Sequence, residues 1–233
     1  LANLREMRRE RDHAIATPSS LVTRLARATA VAEVRWLEAK QESNFALFAP
    51  HLEEVIALTR DKAQVLSQAL GLSPYDALID GFSPGFLSAE IEQLFRVVSR
   101  RLPNLIRDAI ELQAERPPLP LTGKVSTAKQ RSLVIDVMRA LGFPFDRGRL
   151  DESDHPFTEG VNGDVRVTTR FVPQEPFTGL MGVLHETGQA MYDLGLPEAW
   201  RDQPVGRDRG MALEESQSLL LEMIIGRSRP FLT

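Results

Sequence analysis

His185-Glu186-Thr187-Gly188-Gln189 places an imidazole and a carboxamide four residues apart, and residues four apart share one face of a helix. A metal-activating H-E-x-x-H pattern would need a second His where Gln189 stands. Imidazole is a good ligand for Zn²⁺ and a neutral amide oxygen a weaker one, so this pair would hold a metal less tightly than two His. Further on comes Glu214-Glu215-Ser216-Gln217-Ser218, with Glu215 lying 26 positions after Gln189. A second helix has room to return antiparallel over that distance and present Glu215 to the His185 face. Glu186 would then act as general base on a metal-bound water. Each piece alone has a plainer reading: His185 as a hydrogen-bonded structural residue, and Glu214 and Glu215 as first-turn acids favoured by the helix dipole.

These residues need elements to carry them. From Leu1 to about Glu115 apolar residues recur every three or four positions, as in Leu21, Leu25, Ala28 and Ala32 or Val55, Leu58, Ala63 and Leu66, which predicts helices. Thr17-Pro18-Ser19-Ser20 should break one helix and cap the next, and Ala49-Pro50 punctuates again. Gly71 to Pro74 and Phe82 to Gly85 mark turns around a short segment, Tyr75 to Asp80. Arg116-Pro117-Pro118-Leu119-Pro120 reads as a rigid extended connector. A helix should resume near Ser126 and stop at Gly142, and Phe143 to Gly163, dense in Gly, Pro, Asp and Ser, reads as irregular loop. The pattern then alternates: Val165, Val167, Thr169 and Phe171 point one way, Asp164, Arg166, Thr168 and Arg170 the other. That is the one strand the pattern supports, over 164–171. Two helices follow, about Thr178 to Leu194 and about Met211 to Gly226.

Composition narrows the chemistry. The 233 residues are 42% hydrophobic and 26% charged, as in an ordinary globular protein. No apolar run approaches the ~20 residues of a membrane helix, so no membrane partner and a cytoplasmic location are expected. A net charge of -4 without a basic stripe argues against nucleic acid as the main partner. There is no cysteine, and the four His are His13, His51, His155 and His185. Any metal site must use His, carboxylate or amide groups.

The run from His155 onward resembles the carboxypeptidase Taq family of metallocarboxypeptidases. The resemblance is carried by His155-Pro156-Phe157, Asp164-Val165-Arg166-Val167-Thr168, His185 to Tyr192, Leu194 to Pro197, Glu215 to Ser218 and Gly226-Arg227-Ser228. Upstream, Phe48-Ala49-Pro50-His51-Leu52 and Tyr75 to Asp80 are similar to the family's helical first half. The resemblance implies a mainly α fold: an elongated, helical, zincin-like metallopeptidase with a small β region beside the metal-motif helix. Periodicity, proline content and the resemblance predict an N-terminal helical region over 1–115, a Pro-rich connector over 116–125 and a cleft region over 126–233, together part of a longer catalytic domain.

It also implies removal of C-terminal residues from peptide substrates with broad specificity. Zn or Co is the implied cofactor, Glu186 the catalytic residue, and His185, Gln189 and Glu215 the metal ligands. Arg166 and His155 border the cleft as candidate substrate-binding residues; Arg166 has Asp164 as a competing partner, and His155 can orient the cleft instead. A homodimer is left open. The sequence departs from the family twice, at Gln189 and at Glu214, where a His is usual. The family's substrate-carboxylate arginine is expected beyond Thr233, so weak activity is expected of this segment. The competing reading is a metal-deficient homologue that binds peptides as a scaffold, and metal content separates the two.

Overall fold

A computed structural model describes residues 1–115, 117, 123–161 and 163–233. The connector expected over 116–125 therefore falls mostly outside the described residues. The chain forms two compact units, Leu1–Arg100 and Arg101–Thr233.

The first unit is helical: α1 Ala2–Ala16, α2 Ser19–Gln41, α3 Ala49–Leu70, α4 Pro74–Phe82 and the start of α5, Ser88–Glu115. On α2 the buried residues are Leu21, Ala28, Ala32 and Ala39, one apolar stripe at helical spacing. Leu21 and Ala28 meet Leu58 of α3 in a small core. The α3 helix ends at Gly71, whose φ of 69° is a left-handed cap that glycine adopts without steric cost. Ser73 caps α4 by accepting from the Asp76 N–H. At Thr17 to Ser20 the helix break is present, but α2 starts after Pro18 without a side-chain cap, so proline geometry and not a serine hydroxyl sets the start. The Asp80 carboxylate ties α4 to α1: His13 Nε2 lies 2.7 Å away, Arg9 Nη1 3.4 Å away, and the Gly85 N–H donates at 3.0 Å. Burial pushes Asp80 up, but Gly85, His13 and Arg9 outweigh it and hold the carboxyl below its ordinary range.

The second unit builds α6, Thr127–Ala140, a three-stranded sheet, α7, Pro176–Leu194, α8, Met211–Leu219, a π-helical segment over Leu220–Ile225, and a terminal turn α9, Arg229–Leu232. Ser126 caps α6 by accepting from the Lys129 N–H. The sheet order is β1 Gly148–Glu152, β3 Asp164–Thr169, β2 Thr158–Val161, with β1 parallel and β2 antiparallel to β3. Val165, Val167, Thr169 and Phe171 are all buried as the alternation predicts, although β3 ends at Thr169. Val165, Val167 and Phe171, with Val134 and Met138 of α6 and Leu180, Val183 and Leu184 of α7, make the core of this unit.

Two expectations are corrected. Phe143 to Gly163 is not wholly irregular, because β1 and β2 lie inside it. The expected helix from Met211 to Gly226 also changes character at Leu220, where the turn widens to π.

Candidate functional site

The α7 helix carries the motif because its apolar residues recur at helical spacing and bury against the sheet. Glycine at 188 lets α8 come close: a Cβ there would lie 2.6 Å from Ser218 Cα and 2.7 Å from Gln217 O. That approach brings Glu215 to the motif face. Gln189 Nε2 donates to Glu215 Oε1 at 3.3 Å, and His185 Nε2 stands 3.3 Å from Glu215 Oε2. The other ring nitrogen, Nδ1, is 3.1 Å from Glu222 Oε2, and Arg227 Nη2 donates to Glu222 Oε1 at 2.8 Å.

Glu186, on the same turn, is 7% exposed. The Thr158 hydroxyl of β2 lies 2.7 Å from its Oε2 and 3.0 Å from its backbone oxygen. Burial raises the Glu186 pKa above the ordinary carboxylate value, against the lowering effect of the Thr158 hydrogen bond and of His185 and His155. A carboxyl in that state accepts a proton more readily than a solvated one.

These side chains line one cavity of about 870 Å³, with His155, Pro156 and Phe157 on one wall and Phe177, Met181 and Gly182 on another. His185, Glu186, Gln189, Glu215 and His155 are thus brought together. Arg166 is not: it lies on the outer face of β3, paired with Asp164, and does not line the cavity. Glu214 lies outside the lining as well; burial, and the charges of Asp193 and Asp208, raise its pKa. Glu222, Thr158 and Arg227 belong to the site and were not found in the sequence. The spacing of seven between Glu215 and Glu222 was the one available signal for Glu222, since residues seven apart share a helix face.

Do these groups suit a divalent ion? Two ligand atoms ~2.0–2.2 Å from a tetrahedral ion stand about 3.3–3.6 Å apart, and His185 Nε2 and Glu215 Oε2 are 3.3 Å apart. The Nδ1 contact to Glu222 is of the kind that orients a ligating His, and it leaves Nε2 facing Glu215. The third member is weaker. Among the described residues no three His, Cys, Asp or Glu are grouped to hold a metal, and the remaining place falls to the Gln189 amide. That amide turns its NH₂ to Glu215 and must rotate to offer its oxygen. The donor set fits a divalent ion held by one imidazole, one carboxylate and a neutral amide oxygen.

The whole chain, residues 1–233, matches the family model described as carboxypeptidase Taq (M32) metallopeptidase, and the chain belongs to that family. The family's class implies a divalent metal. Thermostable carboxypeptidase 1 of Thermus thermophilus is 37% identical over 238 residues, covering 98% of this chain and 46% of that protein. Carboxypeptidase 1 of Bacillus subtilis is 37% identical over 204 residues, covering 87% of this chain and 40% of its own length. Among solved structures, Trypanosoma cruzi metallocarboxypeptidase 1 superposes with a TM-score of 0.89 at 38% identity, over 97% of this chain and 46% of that one. The mainly helical fold with a small sheet is therefore the family's fold. The chain spans about half the length of the curated relatives it matches.

Proposed function

We propose that this chain carries the metal motif of a metal-dependent carboxypeptidase that releases C-terminal residues from peptides with broad specificity. What supports the reading is the convergence of His185, Glu186, Gln189 and Glu215 on one cavity in a member of a metallopeptidase family. We propose His185, Glu215 and the Gln189 carbonyl oxygen as the ligands, with zinc or cobalt as the metal and a location in the cytoplasm. When bound, such an ion lowers the pKa of water and polarises a peptide carbonyl.

The rest is done by the chain's own groups. With Oε2 held by Thr158, Glu186 keeps Oε1 to take a proton from the attacking water and then to give it to the departing amine. His155 and Phe157 form the wall against which the peptide lies. Glu222 and Arg227 fix the imidazole from behind.

The test is release of the terminal residue from an N-blocked dipeptide with added Zn²⁺ or Co²⁺. Slow release is expected, abolished by Glu186→Gln and raised by Gln189→His. Release that survives Glu186→Gln would overturn the reading.

A further inference from the structure

The cavity wall that carries His155 and Phe157 is the connection from β1 to β2, and the sheet order sets its path. β3 lies between those two strands, with Glu152 of β1 beside its Thr169 and Thr158 of β2 beside its Val167. Residues 153–157 therefore cross the end of β3, over two strand spacings or about 9–10 Å, outside any helix or strand. His155 is exposed and Phe157 keeps 44% of its surface in solvent, so packing does not fix where these side chains stand. Backbone bonds pin the two ends of the crossing: the Ser153 N–H donates to Thr169 O at 2.9 Å, and the Thr168 N–H donates to Phe157 O at 2.9 Å.

Two hydroxyls tie down the middle. Ser153 Oγ lies 2.6 Å from His155 O and 2.7 Å from Thr168 Oγ1, and the Phe157 N–H donates to Thr168 Oγ1 at 3.0 Å. A carbonyl oxygen only accepts, so the single proton of Ser153 goes to His155 O, and the short contact between the hydroxyls takes the proton of Thr168. Phe157 O, at 3.3 Å, is the longer alternative for that proton. The donors thus run one way, from the Phe157 N–H to Thr168, from Thr168 to Ser153 and from Ser153 to His155 O. In an alternating strand Thr168 would stand on the outer side with Arg166; the crossing segment covers it and leaves it 7% exposed, where an unmade hydrogen bond is expensive. We propose that Ser153 and Thr168 are positioning residues, whose hydroxyls hold His155 and Phe157 where a bound peptide meets them. The choice of peptide as ligand rests on the peptidase reading; the hydroxyl chain does not.

Binding is read without turnover by titrating an N-blocked dipeptide into the 233-residue chain carrying Glu186→Gln and following amide shifts by NMR. Ser153→Ala should weaken the dipeptide about fivefold, the size of one neutral hydrogen bond, and speed hydrogen exchange at the Phe157 amide about tenfold, with circular dichroism unchanged. Thr168→Val should do the same, and Thr168→Ser, which keeps the hydroxyl, should bind as the parent does. Added to Phe157→Ala, Ser153→Ala should cost less affinity than it costs alone, because part of what the serine positions is then gone. Affinity indifferent to Ser153→Ala, full additivity with Phe157→Ala, or a parent that does not bind the dipeptide would overturn the proposal. Failure of the peptidase reading looks different: the dipeptide binds with the expected dependence on Ser153, and the chain with Glu186 intact and metal added releases nothing.

Discussion

Glu222 holds His185 from the side away from Glu215: Oε2 lies 3.1 Å from Nδ1, while its other oxygen takes the Arg227 guanidinium at 2.8 Å. The ring is therefore held from behind through Nδ1 while Nε2 faces Glu215. Outer partners of this kind typically control metal affinity by about 10–100-fold. Glu222→Ala should weaken Zn²⁺ binding by that factor in a calorimetric titration. Equal affinities would show that the His185 ring is held by its packing alone.

Replacing Gln189 by His should act in the opposite direction. The substitution exchanges a neutral amide oxygen for an imidazole nitrogen at the proposed third ligand place, so Zn²⁺ affinity should rise by at least tenfold. Affinity that does not move would place Gln189 outside the ligand shell.

Thr158→Val keeps the side-chain volume close and removes the hydroxyl from a buried carboxylate. An acceptor stripped of its donor in such a place costs about 1–3 kcal/mol, measurable as a lower urea midpoint. Thr158→Ser should recover most of the loss. If Val and Ser variants are equally stable, the hydroxyl contributes no net stability.

Gly188→Ala tests the crossing of α7 and α8. The new methyl would stand 2.6 Å from Ser218 Cα and 2.7 Å from Gln217 O, both backbone, so α8 has to move. A cost of about 2 kcal/mol or more is expected, together with weaker Zn²⁺ binding because Glu215 travels with α8. A variant as stable as the parent would mean the crossing is looser than its spacing indicates.

Acid should loosen the first unit through Asp80. Its folded pKa is depressed, so the stability it contributes is present above the unfolded value of ~3.9 and is lost as pH falls through the folded pKa. Thermal melting between pH 7 and pH 2 should show that loss below about pH 4. Asp80→Asn should be less stable at pH 7 and show a shallower acid limb. Parallel curves for the two proteins would remove Asp80 from the account.

The helices were legible because their burial follows a single period. Leu180, Val183, Leu184 and Ala190 of α7 are buried at the spacing their sequence announces. β3 was legible at period two from Val165, Val167 and Thr169, although Thr168 between them is buried as well. β1 was not: Gly148 to Glu152 buries Leu150 alone, and its extended form comes from pairing beside β3, a long-range effect that local preference does not carry. Glycines at 148 and 160 that read as loop residues are instead close-approach sites, where a Cβ would meet Val165 O at 2.9 Å and Asp164 O at 2.3 Å. His185, Glu186, Gln189 and Glu215 were legible as a set from spacing and residue type. Thr158 was not, since its reach to Glu186 depends on β2 pairing with β3 and on how the sheet meets α7.

The π-helical segment Leu220–Ile225 has one more residue than an α-helix would need to cover the same rise. That surplus is taken up inside the wide turn. Deleting Leu221 would let the segment relax to ordinary pitch, because the removed residue is the one the wide turn accommodates, and the helical run on either side would keep its faces. Glu215 ahead of the turn and Arg227 after it would hold their sides of the helix. Insertions and deletions are usually tolerated in loops and ruinous in helices; here a helical run beside the cavity carries one residue that it can lose.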